Sequence, residues 1–405
     1  MSTAITVIGV GAGAVLSPAA QAALHRADLV VSSVANLDLA APRDGVERLE
    51  LGPLAPALER LRRHEGAAVV LASGDPSFFG VARSLTEAGL DVQILPAVSS
   101  VATVAALAGQ PWDAAVVVSA HGRDLAPALN ACRAFPAVAV LTGPVAGPVE
   151  LARGLDGWHR DLVVAERLGL PGERVTRRPA AVVAKQEPDD FAAPNVVLSL
   201  DPRTRSRMRA DNQPAAAPKA GWALDETHYD HRDSMITKAE VRAYVVARLR
   251  PRLGRLVWDI GAGSGSVGIE CAALGSAVIC LERDGAAGET ITANAAHHQV
   301  DVRVVAGVAP GALADLPQPD AAFVGGGGLD VVAAVIARRV PVVVAAFAAL
   351  DRAVAAHRAL RAGGYRVEGT QLSAARLADL PGGSLRLVAA NPVVVLCAER
   401  TDDPS

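Results

Sequence analysis

Three glycines at alternate positions follow an acid in "DIGAGSGSVGIE", residues 259 to 270, and the apolar run "LVWDI" leads into them. Gly263-Ser264-Gly265-Ser266-Val267-Gly268 meets the G-x-G-x-x-G spacing, in which a tight turn lets a ligand approach the backbone where a helix begins. Glu282 ends the next apolar run, "AVICLE", about where an acid for ribose hydroxyls is expected. That acid suits any adenosine-containing cofactor and selects none. Asp259 discriminates, because a carboxylate at a strand tip repels a pyrophosphate and attracts an ammonium or sulfonium group, directly or through water. S-Adenosylmethionine carries both cations and no phosphate. A tight turn without a ligand is the bland alternative. The succession of strand, acid, glycines, helix and second acid argues against it.

The chain opens on a similar stretch, "ITVIGVGAGAV" at 5 to 15, where Gly9-Val10-Gly11-Ala12-Gly13-Ala14 fits the same spacing. Two features oppose a dinucleotide there. The helix start signal, Ser17 followed by Pro18, comes after the glycines rather than directly from them. The second apolar run, "LVVSS", ends in Ser32 and Ser33 with no acid for a ribose. A glycine-lined turn of close backbone approach stays open as the reading of this loop. A nicotinamide-dependent oxidoreductase and a non-catalytic S-adenosylmethionine-binding protein stay open as rival functions.

The elements that must position these loops are legible in outline. The 405 residues exceed one usual core and suit two domains. Short Val/Ile/Leu runs such as "ADLVVSS", "AAVVLASG", "DVQILPA", "AAVVVSAHG" and "AVAVLTG" alternate with Ala/Leu-rich stretches. That alternation predicts α/β architecture with parallel sheets covered on both faces. It breaks at 201 to 235, where "DPRTRSRMRADNQPAAAPKAG" is basic, proline-rich and without period. We expect domains at 1–205 and 226–405 joined by a linker at 206–225, separable by a cut within 210–220. Hydrophobic residues at 51% and charged residues at 20% imply a large core. A net charge of −3 gives no general attraction to nucleic acid or anionic membrane. "VPVVVAAFAAL" at 340–350 is too short to span a bilayer and reads as a buried strand and its exit. Cys132, Cys271, Cys280 and Cys397 have neither metal nor disulfide spacing. The expectation is a reduced, cytoplasmic protein without a structural metal, forming a homo-oligomer.

Further motifs carry a resemblance. "SGDPSFFG" (73–80), "LPAVSSVATVAALAG" (95–109), "SAHGR" (119–123), "LTGP" (141–144) and "AERLGLPGERV" (165–175) stand in an order that closely resembles the tetrapyrrole (corrin/porphyrin) methylases. In particular they resemble the branch that acts on precorrin-6B. Asp-x-Gly-x-Gly-x-Gly at 259–265 with Glu282 is the form seen in Rossmann-like methyltransferases. With "MITKAEVRAYV" (235–245), "DAAFVGGGG" (320–328) and "AANPVVVL" (389–396), the second half resembles the partner methylase that also decarboxylates.

The resemblance implies a two-lobed tetrapyrrole methylase fold followed by a Rossmann-like methyltransferase fold. It implies S-adenosylmethionine-dependent methylation at C5 by the first and at C15 by the second, with loss of the C12 acetate carboxylate, giving precorrin-8X in cobalamin biosynthesis. The cobalt-containing counterpart of the substrate is an open alternative. Implied cofactor contacts are Gly9, Gly11, Gly74, Asp75, Pro76, Ser99 and Ser100 in the first half. In the second they are Thr237, Asp259, Gly261, Ala262, Gly263, Ser264, Gly265, Glu282 and Ala309. His121 and Arg123 are implied substrate contacts.

The sequence departs from the family pattern in four places. Gly11-Ala12-Gly13 replaces Gly-Pro-Gly, and "SSVANLDL" replaces a glycine- and arginine-rich segment. Gly307-Val308-Ala309 replaces Gly-Asp-Ala, which leaves an adenine contact to the backbone. "FAALDR" near 347–352 replaces Thr-Leu-Glu.

Methyl transfer from a sulfonium to carbon requires in-line placement and no activated protein nucleophile. Decarboxylation requires a dry carboxylate site and a proton source, with the conjugated macrocycle as electron sink. A polycarboxylate substrate calls for cations and hydroxyls. "THYDHRDSMITK" at 227–238 offers Tyr229, Arg232 and Lys238 as catalytic candidates. His228 and His231 in the same stretch could bind a metal but have no evident third ligand. A solvated linker end is the plain reading of that stretch, as of the arginines at 203–209.

Overall fold

The computed structural model describes residues 5–11, 13, 16–204, 222–232 and 236–401. Most of the expected 206–225 linker lies outside the described residues, as do three of the four arginines at 203–209. The fourth, Arg203, reaches Asp201 at 2.7 Å and Asp301 at 2.9 Å. The chain is α/β and forms two compact units. One comprises 1–123 and 137–200, the other 124–136 and 201–405.

The first unit contains two five-stranded sheets. In the first sheet the strands run in the order Glu47–Glu50, Leu29–Ser32, Ala68–Ser73, Ile5–Val10, Val92–Leu95, all parallel. Side chains alternate faces along a strand. Ile5, Val7, Leu29 and Val31 pack with Ala57, Leu61, Ala82 and Leu85 on one face. Ile8, Val10, Val30 and Leu71 pack with Ala20, Ala23 and Leu24 on the other. Both faces are thus covered, as the continuous apolar runs predict. Helix Pro18–Arg26 starts where the sequence signals it, Ser17 Oγ accepting the Ala20 N–H at 3.2 Å.

The second sheet corrects the parallel expectation. Val116–Ser119 and Ala137–Leu141 are parallel, but Asn195–Leu200, Asp161–Glu166 and Arg174–Pro179 pair antiparallel. The turn at 167–173 between two of these strands is too short for the helix that a parallel return requires.

The second unit contains a seven-stranded sheet. Its order is Arg303–Ala306, Ala277–Glu282, Leu256–Ile260, Ala321–Val324, Val342–Phe347, Val393–Arg400, Tyr365–Leu372. The first five strands are parallel, and Val393–Arg400 pairs antiparallel with Val342–Phe347 on one side and Tyr365–Leu372 on the other, so it alone runs against the rest. The chain winds outward from Leu256–Ile260 to one edge, then crosses to Ala321–Val324 on the other side. The strand tips at such a reversal open a crevice, the usual ligand position in open α/β sheets. Val245, Val246 and Leu249 of helix Ala239–Leu249 and Val267 and Cys271 of helix Ser266–Ala273 pack on Val257, Val278, Phe323 and Val344. A two-stranded hairpin, Ala375–Asp379 with Leu385–Ala389, follows the edge strand. Helix Ala126–Ala134 also belongs to this unit and packs on Ala277–Glu282. No helix among the described residues is long and apolar enough to cross a membrane.

Candidate functional site

At the reversal point of the second unit, Gly261 has φ +72°. A Cβ there would stand 2.8 Å from Gly326 Cα and N. The tips of the two central strands can approach because neither residue carries a side chain. Ala262 and Gly263 continue the turn, and helix Ser266–Ala273 starts directly after Gly265, so that the Gly268 N–H in its first turn finds its acceptor outside the helix.

Asp259 lies beneath this loop and is fully buried. Its Oδ2 accepts the Gly268 N–H at 2.8 Å, while Oδ1 is buried without a hydrogen-bond partner. Burial, with a smaller contribution from the Glu282 charge, raises its pKa to about 7 against the opposing pull of the Gly268 bond. Ser264 Oγ, at the turn itself, is likewise buried and unpartnered. Glu282 Oε2 accepts the Gly263 N–H at 2.9 Å. Its Oε1 accepts from Arg283 and Asp284 N–H. The second acid therefore ties the glycine loop to the neighbouring strand tip. Gly307 N–H donates to the Glu282 carbonyl at 2.9 Å, which brings the 307–309 segment, with Ala309, beside it.

Residues 222–232 and 236–238 are held by one buried ion pair. Arg242 Nε donates to Glu270 Oε1 at 2.6 Å, with side chains 0% and 2% exposed. Glu270 also accepts from Ala223 N–H, Leu224 N–H and the Tyr229 hydroxyl, at 2.9, 3.1 and 3.2 Å. Arg242 donates to the carbonyls of Thr237 and Leu224. Both stretches are thus fixed to the same two residues. They lead to Thr237 and Lys238, the latter at the N-cap position of helix Ala239–Leu249. These two line a cavity of about 300 Å³ with Gly325, Ala346, Ser373 and Asn391.

In the first unit the tips of Ile5–Val10, Ala68–Ser73 and Val92–Leu95 converge. A Cβ on Gly9 would stand 2.5 Å from the Gly74 carbonyl oxygen and 2.7 Å from Ala97 N. Gly74, with φ +70°, lies against Ser99 and Ser100. Ser99 Oγ caps helix Ser100–Leu107 by accepting the Ala102 N–H. Asp75 Oδ1 accepts from Ser77 N–H and Oγ, which shapes the turn through Pro76. Gly11 lines a cavity of about 540 Å³ with His25 and Arg43. His121 Nδ1 donates to the Thr142 carbonyl at 3.0 Å, since a carbonyl only accepts. The Arg123 guanidinium lies 6.0 Å from the ring centroid of Phe79, tying "SAHGR" to "SGDPSFFG".

Comparison with known proteins matches residues 4–184 to the tetrapyrrole (corrin/porphyrin) methylases and residues 227–399 to the precorrin methyltransferase domain. A Sinorhizobium protein named precorrin-6Y C(5,15)-methyltransferase [decarboxylating] is 38% identical over 338 residues, 80% of this chain and 79% of that protein. The chain belongs to this family of decarboxylating precorrin methyltransferases. Two shorter relatives are named for single steps. A Pyrobaculum calidifontis probable cobalt-precorrin-6B C(15)-methyltransferase (decarboxylating) is 38% identical over 172 residues, 40% of this chain and 88% of its own. A Salmonella typhimurium cobalt-precorrin-7 C(5)-methyltransferase is 34% identical over 209 residues, 49% of this chain and all of its own.

Within this precorrin methyltransferase framework many of the expected residues fall at the two glycine loops, whereas Gly11 lines the cavity beside His25 and Arg43, and Tyr229 is placed differently from the catalytic role read for it. Tyr229, read as catalytic, is buried. Its hydroxyl is bonded to Glu270, its ring stacks on His298 at 4.6 Å, and burial pushes its pKa up. In this position it anchors residues 222–232 against Glu270 and His298. Arg232 pairs with Asp284 at 2.8 Å in an exposed position next to the strand that ends in Glu282.

Sequence reasoning missed the Arg242–Glu270 pair, although a lone acid inside the apolar "SVGIECAA" was a usable signal. It also missed Asn36, in the stretch that departs from the family pattern. Asn36 Nδ2 donates to Ser73 Oγ at 3.1 Å, immediately before Gly74.

Proposed function

We propose that this chain methylates precorrin-6B at C5 and C15 with S-adenosylmethionine and removes the C12 acetate carboxylate, giving precorrin-8X in cobalamin biosynthesis. The domain from 1 to about 205 carries C5 methylation. The domain from about 226 onward carries C15 methylation and decarboxylation. The observation that carries this reading is the second glycine loop. There a buried, unpartnered Asp259 oxygen and the Ser264 hydroxyl lie at the turn, and Glu282 stands beside it. That donor set fits a cationic, phosphate-free, ribose-bearing ligand and opposes a pyrophosphate. S-Adenosylmethionine supplies an electrophilic methyl group on a sulfonium.

In the second domain Glu282 receives the ribose hydroxyls, and the backbone of Gly261 to Gly265 approaches the ligand. The 307–309 backbone, at Ala309, meets the adenine, Asp259 contributes the negative charge below, and Thr237 closes the site. Lys238 and Arg232 handle substrate carboxylates. In the first domain Gly9, Gly11, Gly74, Asp75, Pro76, Ser99 and Ser100 hold the second cofactor. His121 and Arg123 meet the macrocycle. Each site excludes water and aligns the ring carbon with the donated methyl, the placement on which this chemistry depends.

The test is incubation of the intact chain with S-adenosylmethionine and precorrin-6B, followed by mass spectrometry. Gain of two methyl groups with loss of one CO2 is expected. Binding of NAD(H) without S-adenosylmethionine would overturn the assignment. The half-length relatives named for cobalt-precorrins support a second reading, in which the substrate already holds cobalt. The same assay on cobalt-loaded and metal-free substrate separates the two.

A further inference from the structure

Four charged groups at and beside the second-domain cavity are partitioned unevenly. Arg376, in the hairpin strand Ala375–Asp379, holds two carboxylates at once. Its Nη1 and Nη2 donate to Glu226 at 2.7 and 2.9 Å. Its Nε and Nη2 donate to Glu240, both at 2.8 Å. The Arg376 guanidinium holds the Glu226 carboxyl down at about 2. Glu226 Oε1 also accepts the N–H of Ala239, the residue after Lys238, and Glu240 lines the same cavity as Lys238. The two acids that neighbour Lys238, one through the Ala239 N–H and the other on the cavity wall, are therefore both committed to Arg376. Lys238 makes no ion pair among the described residues. The rest of the wall is largely apolar: Ile236, Val241, Ala348 and Leu372. An unpaired cation in a small apolar cavity attracts an anion more strongly than the same cation in water. A volume of about 300 Å³ is at the small end for ligand cavities and suits one arm of a large substrate.

We propose that this cavity receives a carboxylate-bearing arm of the tetrapyrrole on Lys238, and that Arg376 is a positioning residue that keeps Lys238 unpaired by holding Glu226 and Glu240. The inference rests on the function proposed above and adds a place and a charge arrangement for the substrate. Ser373 and Asn391, on the same wall, offer further hydrogen bonds to the arm.

The test uses the intact chain, with C5 methylation measured in the same reaction as an internal control. Lys238→Met should raise the KM of the C15 reaction about tenfold or more, since a charged hydrogen bond is lost, while Lys238→Arg should raise it less. Arg376→Gln should raise that KM in the same direction, because the released carboxylates then pair with Lys238. The triple variant Glu226→Gln, Glu240→Gln, Arg376→Gln removes those charges too and should return to within about threefold of wild type. A merely structural Arg376 would leave the triple variant as impaired as the single one, and that result would overturn the charge partition. Wild-type KM in Lys238→Met, with wild-type C15 activity present, would overturn the subsite and leave the proposed function standing. A wild-type chain that binds S-adenosylmethionine but transfers no methyl at C15 would remove the function and this inference together.

Discussion

At the scale of single residues, Asp259 couples ligand charge to pH. Its pKa stands at about 7, above the ordinary value near 4, so the folded chain favours the protonated acid more than the unfolded chain does, while the carboxylate is populated at and above neutral pH. The stability this contributes is complete below about pH 4 and is lost as the pH rises through about 7. Over that window the loss is on the order of 4 kcal/mol, at about 1.4 kcal/mol per pKa unit. Asp259→Asn keeps an acceptor for the Gly268 N–H and should flatten this fall, which urea unfolding at pH 5 and pH 8 will show. The same substitution should weaken S-adenosylmethionine binding and, were the ligand a pyrophosphate, strengthen it. Titration of both proteins with both ligands reads the sign.

Glu282 has two duties that substitutions can separate. Glu282→Gln keeps an acceptor for Gly263, whereas Glu282→Ala removes it and should cost about 1–3 kcal/mol of cofactor binding. C5 methylation by the intact chain should be spared in both. Equal loss at C5 and C15 would argue against independent sites.

At the scale of elements, residues 222–232 and 236–238 depend on Glu270 and Arg242. Glu270→Ala leaves the Arg242 charge buried and unpaired and strands the Ala223 and Leu224 N–H groups. The expected cost is about 3–5 kcal/mol in denaturant unfolding. Adding Arg242→Met removes the stranded charge and should recover part of that loss. An unchanged midpoint in Glu270→Ala would mean that these residues are held by something else. Of this network only the lone acid Glu270 in an apolar stretch left a local signal, because its members lie up to 47 positions apart and no local period marks their pairing. The strands were legible, since continuous apolar runs identify strands covered on both faces. Antiparallel pairing in the second sheet was not, because an apolar run reads the same in either direction. The glycine turns of the two loops were legible in residue type and spacing. The depth of Asp259 was not, because spacing says nothing about which side of a turn a carboxylate occupies.

At the scale of the whole molecule, the family and the two-part organisation could be read from motif order, while the membership of residues 124–136 could not. Helix Ala126–Ala134 counts with the second unit, where Asn130 Nδ2 donates to the Gly254 carbonyl at 3.1 Å. A fragment beginning at residue 222 lacks that helix. It should be soluble but melt at a lower temperature than the same domain in the intact chain, which calorimetry of both will show. The Arg376 clamp was invisible for the same reason as the buried pair: Glu226 and Arg376 are 150 positions apart.

The bare contacts at Gly9 and Gly261 make the chain divisible by function without dividing it physically. One added methyl at Gly9 meets a carbonyl oxygen, and one at Gly261 meets the opposite strand tip in a backbone conformation that disfavours any side chain. Gly9→Ala should silence C5 methylation alone, and Gly261→Ala should silence C15 methylation alone. Each variant would then act as a stalled assembly line, accumulating a different half-finished pigment. Which stalled product the other variant can complete, when the two proteins are mixed in turn, reveals the order in which the native chain works.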